Sequence, residues 1–184
     1  MLWLLLMFGC ASEPVLLPAA DRVNGELRWG LVNGNGTWIV PPTYQYMAPF
    51  GEGDVAVAKV DAHSRVLIRR DLSVVALADW DWVGGFIDGR APARRDGKWG
   101  LIDQRGRELL APKYDRVEVH DGGGARVKLG RTWGFVDRFG SWVAEPRFAD
   151  AEPMIDGYAQ VVEGGRRLWM SSDGQYVEVR SFAR

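Results

Sequence analysis

Residues 98–114 read KWGLIDQRGRELLAPKY, and this stretch decides the fold. The apolar run WGLI suits a short strand, and the turn that follows opens with Asp103 and closes with Gly106. The run ELL predicts a returning strand. Pro112 should end that strand, because proline has no amide to donate to a β-ladder. The stretch therefore predicts an antiparallel β-hairpin.

The same stretch recurs along the chain. Residues 132–148, TWGFVDRFGSWVAEPRF, lie 34 positions further on, and residues 28–44, RWGLVNGNGTWIVPPTY, lie 70 positions before. Self-similarity at such a fixed step is the signature of a repeat architecture. Each copy keeps a Trp-Gly pair, a turn glycine, a proline and a closing aromatic. These columns are Trp29-Gly30, Trp99-Gly100 and Trp133-Gly134; Gly36, Gly106 and Gly140; Pro42, Pro112 and Pro146; and Tyr44, Tyr114 and Phe148.

Two further units have lost the Trp-Gly pair. One begins with RVLI at 65–68 and contains Trp80, near the column of closing aromatics. The other is a partial unit that contains LWM at 168–170. A column of alanines steps by 35, 34 and 34 residues and links the units: Ala56, Ala91, Ala125 and Ala159. We expect a domain over 26–184, with units near 26–61, 62–96, 97–130, 131–164 and 165–184.

Each unit ends on a strand in which apolar and polar residues alternate. ARVKL at 125–129 and YAQVV at 158–162 are the clearest examples, and this period indicates a half-buried strand. The 23 glycines suit tight turns and the 9 tryptophans are large anchors. The chain is therefore predicted to be all-β, with about five antiparallel hairpin or three-strand units in a solenoid-like or propeller-like stack.

These motifs resemble the WG repeat, also called the KWG repeat, of bacterial proteins. The strongest matches are KWGLID at 98–103 with PKYD at 112–115, and WGFVD at 133–137 with PRF at 146–148. The resemblance covers roughly residues 26–177 and is weakest in the second and fifth units. It implies an array of antiparallel hairpins without defined catalytic residues, and no cofactor is expected.

The first ten residues, MLWLLLMFGC, form a separate segment. The apolar run is too short to span a bilayer and is closer to the apolar part of a secretory signal. Gly9 before Cys10 resembles the lipobox of bacterial lipoproteins, which implies lipidation of Cys10 and a tether over 11–25. No basic residue precedes the run, which a start codon further upstream would explain. The alternative is a hydrophobic strand with a buried thiol.

Composition argues against several functions. The net charge is -1 and cations are interspersed with anions, so nucleic acid is not an expected partner. A single cysteine excludes an internal disulfide and a cysteine-cluster metal site. His63 and His120 lie in different loops and are expected to be solvated, so no metal site is predicted. Asp103 and Asp137 open equivalent turns and are predicted to be structural.

The second unit carries the one candidate for chemistry. Asp79, Asp81 and Asp88 lie beside Trp80 and Trp82, and carboxylates next to aromatics can form a sugar site. A surface hairpin has the same composition. We predict that this unit is either the functional face or the weakest part of the array, and that restoring its Trp-Gly pair would stabilise it.

Three functions remain open. The first is a non-catalytic binding or scaffold protein, lipid-anchored in the cell envelope, whose partner is an unknown protein or cell-wall glycan. The second is a glycan-binding or glycan-processing envelope protein acting through the Asp79–Asp88 region. The third is a structural spacer, which predicts that every Trp is buried; a cytoplasmic location is the alternative to the envelope. Trp29, Trp99 and Trp133 are expected core anchors, and Trp38, Trp80, Trp82 and Trp142 are candidate contacts.

Overall fold

A computed structural model of the chain describes residues 15–77, 79–122 and 124–177; Cys10 and the lipobox predicted around it lie outside this range. The described residues form strands and one 3-10 turn, Glu52–Asp54. Sheet 1 contains β1 (Leu17–Val23), β2 (Glu26–Val32) and β3 (Trp38–Tyr44). Sheet 2 contains β4 (Tyr46–Met47), β5 (Val55–Lys59), β6 (Arg65–Arg69) and β7 (Val74–Leu77). Sheet 3 contains β8 (Trp82–Val83), β9 (Arg90–Arg95), β10 (Lys98–Asp103) and β11 (Glu108–Tyr114).

The last two sheets repeat this pattern. Sheet 4 contains β12 (Arg116–Val119), β13 (Ala125–Leu129), β14 (Thr132–Val136) and β15 (Trp142–Phe148); sheet 5 contains β16 (Asp150–Ala151), β17 (Tyr158–Glu163), β18 (Arg166–Ser171) and β19 (Tyr176–Val177). Within each sheet, every strand pairs antiparallel with its neighbour along the chain. The all-β repeat prediction is confirmed. Each sheet is a four-stranded meander, like a propeller blade, except sheet 1, which has three described strands.

The sheets are out of phase with the units read from the sequence. The alternating strand at the end of one unit pairs with the first strand of the next: β9, which contains Ala91, pairs with β10, which contains Trp99. The Trp-Gly strand is therefore an inner strand of its sheet. It has a neighbour on each side, which explains why it is the most apolar strand of the unit.

The sheets pack face to face in chain order. One core cluster lies between each adjacent pair, so every inner sheet has a rear face toward the preceding sheet and a forward face toward the following one. Leu31 and Ile68 join sheets 1 and 2, and Leu67 and Ile102 join sheets 2 and 3. Among the described residues, no cluster joins sheet 5 to sheet 1. In this part of the chain the array is therefore open, and its stability depends on nearest-neighbour interfaces.

The Trp-Gly pair places a glycine under a β-bulge. β10 and β11 change register between Trp99 and Leu101, across Gly100, and again between Leu101 and Ile102; β2–β3 and β14–β15 do so at the equivalent positions. A Cβ on Gly100 would lie 2.4 Å from the carbonyl oxygen of Leu110, and one on Gly134 would lie 2.6 Å from that of Ala144. Only glycine leaves room for the backbone of the last strand to approach the Trp-Gly strand this closely. The prediction that Pro112 ends its strand is wrong, because β11 continues through the bulge to Tyr114.

The turns between the last two strands of each sheet are built as the sequence predicts. The Asp103 carboxylate accepts hydrogen bonds from the amides of Arg105 and Arg107, at 2.8 and 2.9 Å. Asp137 accepts the equivalent pair, and Asn33 does the same with its amide oxygen. The structural assignment of Asp103 and Asp137 is confirmed.

Asp103 should make the stability of the turn depend on pH. Burial alone would raise the pKa of its carboxyl, but hydrogen bonds from Arg107 and Arg105 outweigh burial and hold the pKa below its ordinary value. The stabilisation is therefore full above about pH 4 and is lost as the pH falls through the lower folded-state pKa. Asp103→Ala should cost about 1–2 kcal/mol at pH 7.

Asp103→Asn is the matched variant, because Asn33 accepts the same bonds in sheet 1. Urea unfolding should show a smaller loss for Asp103→Asn than for Asp103→Ala at pH 7. The difference between wild type and Asp103→Asn should shrink below pH 4. A difference independent of pH would contradict this assignment.

The residue that closes each turn lies against the preceding sheet. Gly106, Gly140 and Gly174 have positive φ, and a Cβ on Gly140 would lie 2.2 Å from the carbonyl oxygen of Leu109 on β11. In sheet 2 this position is Leu72, which keeps φ at 65° and the same hydrogen bond from its amide to the carbonyl three residues back. A left-handed conformation costs a non-glycine residue about 1–2 kcal/mol.

We expect Leu72→Gly to be more stable than Leu72→Ala by about 1–2 kcal/mol. Both changes remove the same leucine side chain to within one methyl group, so their difference isolates backbone strain. Chemical unfolding of the two variants measures it. Equal stabilities would show that this turn carries no strain.

Candidate functional site

A cleft of about 550 Å³ lies between sheets 2 and 3. Two exposed aromatic side chains line it, Tyr46 on β4 and Trp82 on β8, together with buried Phe86. Exposed aromatics in a concave apolar site are the usual features of a ligand-binding surface. The cleft also includes the polar ends of β5 and β6.

The tryptophans of two Trp-Gly pairs hold the exposed rings in place. Trp29 packs edge-on against Tyr46, with ring centroids 5.7 Å apart, and Trp99 packs edge-on against Trp82, with centroids 5.1 Å apart. Gly84 leaves room for the Trp82 ring, since a Cβ there would lie 2.7 Å from it. Both rings are therefore fixed before any ligand arrives, which lowers the entropy cost of binding.

The cleft carries positive charge. Lys59 and Arg65 line it, and none of its lining residues is acidic. Arg65 donates to the backbone carbonyls of Asp61, Ser64 and Asp81, which orient the guanidinium without neutralising it. Burial lowers the pKa of Arg65 from its usual value, the nearby carboxylates of Asp61 and Asp81 act in the opposite direction, and the group stays charged at neutral pH. The site thus favours an apolar or aromatic group next to a negative one.

The four candidate contact tryptophans do not lie together. Trp82 is 40% exposed in the cleft, whereas Trp142 is an exposed residue of sheet 4 that packs edge-on against Tyr114. Trp38 is partly buried. Trp80 is only 2% exposed and belongs to the core between sheets 2 and 3, so it offers no contact surface. Trp80 is buried because it takes the position of the closing aromatics, and Tyr114 and Phe148 lie in the equivalent cores between sheets.

The tryptophans of the Trp-Gly pairs are half-buried beside the core clusters. Trp99 packs against the cluster between sheets 3 and 4, and Trp133 against the one between sheets 4 and 5. The guanidinium of Arg126 lies 4.8 Å from the centre of the Trp133 ring, and the Lys128 amine lies 5.3 Å from it. These rings anchor the sheets and also carry cations on their outer surface.

The acidic residues of the second unit are spread along sheet 3. Asp81 lies beside Arg94, whose Nε is 3.7 Å away, near one end of β9. Asp88 precedes the other end of β9, where its carboxylate accepts the Gly122 amide. Positions 90 and 94 are about 13 Å apart along an extended strand. Glycosidase carboxyl pairs are about 5–9.5 Å apart, so Asp81 and Asp88 are too distant to act as one.

Asp88 instead belongs to a contact that repeats between sheets. Its backbone amide donates to the Glu52 carboxylate at 2.5 Å, and its own carboxylate accepts the Gly122 amide one unit later. Asp79 lies in the turn before Trp80 with a positive φ of 67°. Asp88 therefore has a structural role in the contacts between sheets.

The two histidines differ. His63 is exposed, as expected for a loop residue. His120 is half-buried, and its Nε2 is enclosed without a hydrogen-bond partner among the described residues, so the prediction of a solvated side chain is wrong there. Gly124 closes over the ring. Across residues 15–77, 79–122 and 124–177, no group of three His, Cys, Asp or Glu side chains could hold a metal ion.

Sequence reasoning missed three residues of the cleft: Tyr46, Lys59 and Phe86. Tyr46 could have been found from the repeat. Trp29 and Arg65 hold equivalent positions in consecutive units, and Tyr46 and Trp82 are separated by the same number of residues, so they occupy equivalent positions as well. Lys59 becomes a neighbour of Trp82 only through the stacking of sheets 2 and 3, whereas Phe86 follows Trp82 by four residues in the same segment. No local pattern marks them.

This architecture defines a class: an all-β repeat protein in which four-stranded meanders stack in chain order. The chain belongs to the WG-repeat family. The profile described as "WG containing repeat" matches residues 29–62, 70–99, 99–132 and 133–166, more than half of the chain. The second match shows that the unit without a Trp-Gly pair is a member of the array.

Other comparisons add no function. No curated protein matches the chain. Solved structures do match, among them a crystal structure of a eukaryotic initiation factor, with 12% identity and a TM-score of 0.49 over 91% of this chain. The chain spans about half, 52%, of that protein. No helix in the described part of the chain is long and apolar enough to cross a membrane.

Proposed function

We propose that this protein is a non-catalytic binding protein of the bacterial cell envelope, lipid-anchored through Cys10, and that the cleft between sheets 2 and 3 holds its partner. The observation that carries the proposal is the pair of exposed, pre-positioned rings of Tyr46 and Trp82 beside Lys59 and Arg65. Aromatic and Arg side chains of this kind dominate the energetics of protein interfaces.

The chemistry of the cleft suggests the partner. Its walls are apolar and its two charged lining residues are cations, so a protein segment with an aliphatic or aromatic side chain beside a carboxylate fits best. Cell-wall glycan is the second candidate, because an exposed Trp82 ring can stack on a sugar. A purely structural spacer is disfavoured, since it requires every tryptophan to be buried and Trp82, Trp142 and Trp169 are exposed.

Binding can be tested by loss of the rings. A partner captured by the wild-type protein and then purified should bind Tyr46→Ala and Trp82→Ala at least tenfold more weakly, because each change removes an anchor worth more than about 1.4 kcal/mol. Trp142→Ala is the matched control, since Trp142 is similarly exposed on sheet 4. Undiminished binding by the Tyr46→Ala/Trp82→Ala double variant would exclude the cleft.

The identity of the partner separates the two candidates. If the partner is a protein, an acidic peptide should displace it from the cleft and cell-wall glycan fragments should not. Lys59→Gln should also weaken binding of the protein partner. Binding of glycan fragments that depends on Trp82 but not on Lys59 would favour the second candidate.

The anchor has its own test. Cells given a fatty-acid analogue should label the wild-type protein and not Cys10→Ser, provided that any upstream start is included. Equal labelling of both forms would rule out lipidation at Cys10 and leave the binding proposal intact.

A further inference from the structure

Sheet 5 is the last sheet of the described residues, and nothing among those residues covers its forward face. One column of residues shows this. Leu31, Leu67, Leu101 and Phe135 occupy equivalent positions in sheets 1 to 4, and each is 0% exposed because the next sheet covers it. Trp169 takes this position in sheet 5 and is 40% exposed.

The surroundings of Trp169 form an apolar cleft of about 710 Å³. Exposed Tyr158, Ile155 and Val177 contribute to it, together with the polar side chain of Gln160. Gln160 pairs with Trp169 across β17 and β18. The cleft is therefore mostly apolar around Trp169, with the polar side chains of Gln160 and Glu152 in its lining.

The rear face of sheet 1 is likewise uncovered by the described residues. Leu17 pairs with Val32 across β1 and β2 and is 51% exposed. The equivalent pairs in sheets 2 to 5 are at most 1% exposed because the preceding sheet covers them: Ala56 with Ile68, Ala91 with Ile102, Ala125 with Val136, and Ala159 with Met170.

The turn glycines give the same result independently. A Cβ on Gly106, Gly140 or Gly174 would touch the last strand of the preceding sheet, whereas one on Gly36 would meet nothing within 4 Å. The rear face of sheet 1 thus resembles one side of an interface between sheets, and no described residue supplies the other side.

We propose that the missing halves belong to a second copy of this chain, with sheet 5 of one copy packing on sheet 1 of the next. Every core between sheets joins a forward face to a rear face, and residues 15–77, 79–122 and 124–177 leave one of each uncovered. Such a head-to-tail contact continues the array and forms a ring if it closes and a filament if it does not. Leu17 and Trp169 are larger than their inner equivalents, so the junction has its own packing. This inference does not depend on the cleft between sheets 2 and 3.

A complementation experiment with the full chain tests the proposal. Sedimentation velocity over a dilution series should show the wild type associating, and Trp169→Glu alone and Leu17→Glu alone should each be monomeric. Their equimolar mixture should form dimers and nothing larger, because the intact sheet 5 of the Leu17→Glu chain can dock on the intact sheet 1 of the Trp169→Glu chain.

Controls make each outcome decisive. Phe139→Glu changes an exposed residue of the β14–β15 turn and should associate like the wild type. Tyr158→Glu is a second variant of the sheet 5 face, should Trp169→Glu unfold by circular dichroism. A wild type that stays monomeric to about 1 mM overturns the proposal. So does association that survives both end variants, as contact through residues 1–10 would, or a mixture that fails to form dimers.

Discussion

Replacement of Trp80 by alanine is expected to lower the free energy of unfolding by about 3–5 kcal/mol. The side chain is 2% exposed and fills the core between sheets 2 and 3, against residues such as Leu77 and Ala93. The Arg95 guanidinium covers its ring at 4.2 Å. Truncation leaves a cavity in the core between sheets 2 and 3. This interface holds sheets 1 and 2 to sheets 3 to 5, so weakening it destabilises the middle of the array.

Trp82→Ala is the matched control, two residues away on the same segment. Because its ring is 40% exposed, we expect a loss of about half that size in denaturant unfolding. The two variants should also separate by function, since only Trp82 reaches the cleft between sheets 2 and 3. Equal losses of stability would mean that the burial of Trp80 has no energetic consequence.

Trp80 also shows how far the sequence can be read. Trp80 lies near the column of Tyr44, Tyr114 and Phe148, and like Tyr114 and Phe148 it is buried in the structure. Its acidic neighbours favour an exposed contact instead, and that interpretation is wrong. The column was the better guide, because Trp80, Tyr114 and Phe148 each lie in a core between two sheets, whereas the charge of Asp79 and Asp81 does not decide where the ring between them points.

The repeat columns predicted the all-β array and its Asp turns because these depend on local hydrogen bonds and on periodicity. They did not predict which sheet each strand joins, since the pairing of β9 with β10 crosses a unit boundary. Nor did they predict the cleft, whose residues Tyr46, Lys59 and Phe86 are brought together by packing between sheets. Side chains that meet only through stacking leave no spacing signal in one chain.

Gly100→Ala is expected to cost about 2–3 kcal/mol, although it adds only one methyl group. The new Cβ would lie 2.4 Å from the Leu110 carbonyl oxygen, which the bulge in β11 holds against the glycine. Backbone cannot give way as a side chain can, so the bulge must open. Gly85→Ala is the control, because a Cβ there meets nothing within 4 Å and Gly85 does not have a positive φ. It should stay within about 0.5 kcal/mol of wild type in urea unfolding.

The reverse substitution in sheet 2, Val66→Gly, should also destabilise the protein, by about 2–3 kcal/mol. Val66 occupies the column of Gly100, yet β6 and β7 pair in regular register, without a bulge. Its side chain is 9% exposed and packs in the core between sheets 1 and 2, so glycine would remove packing and loosen the strand. Restoring a Trp-Gly pair in this unit, which the sequence predicts to be stabilising, is therefore expected to fail. Chemical unfolding of Val66→Gly decides the matter, and a more stable variant would show that the bulge can form in sheet 2 once glycine permits it.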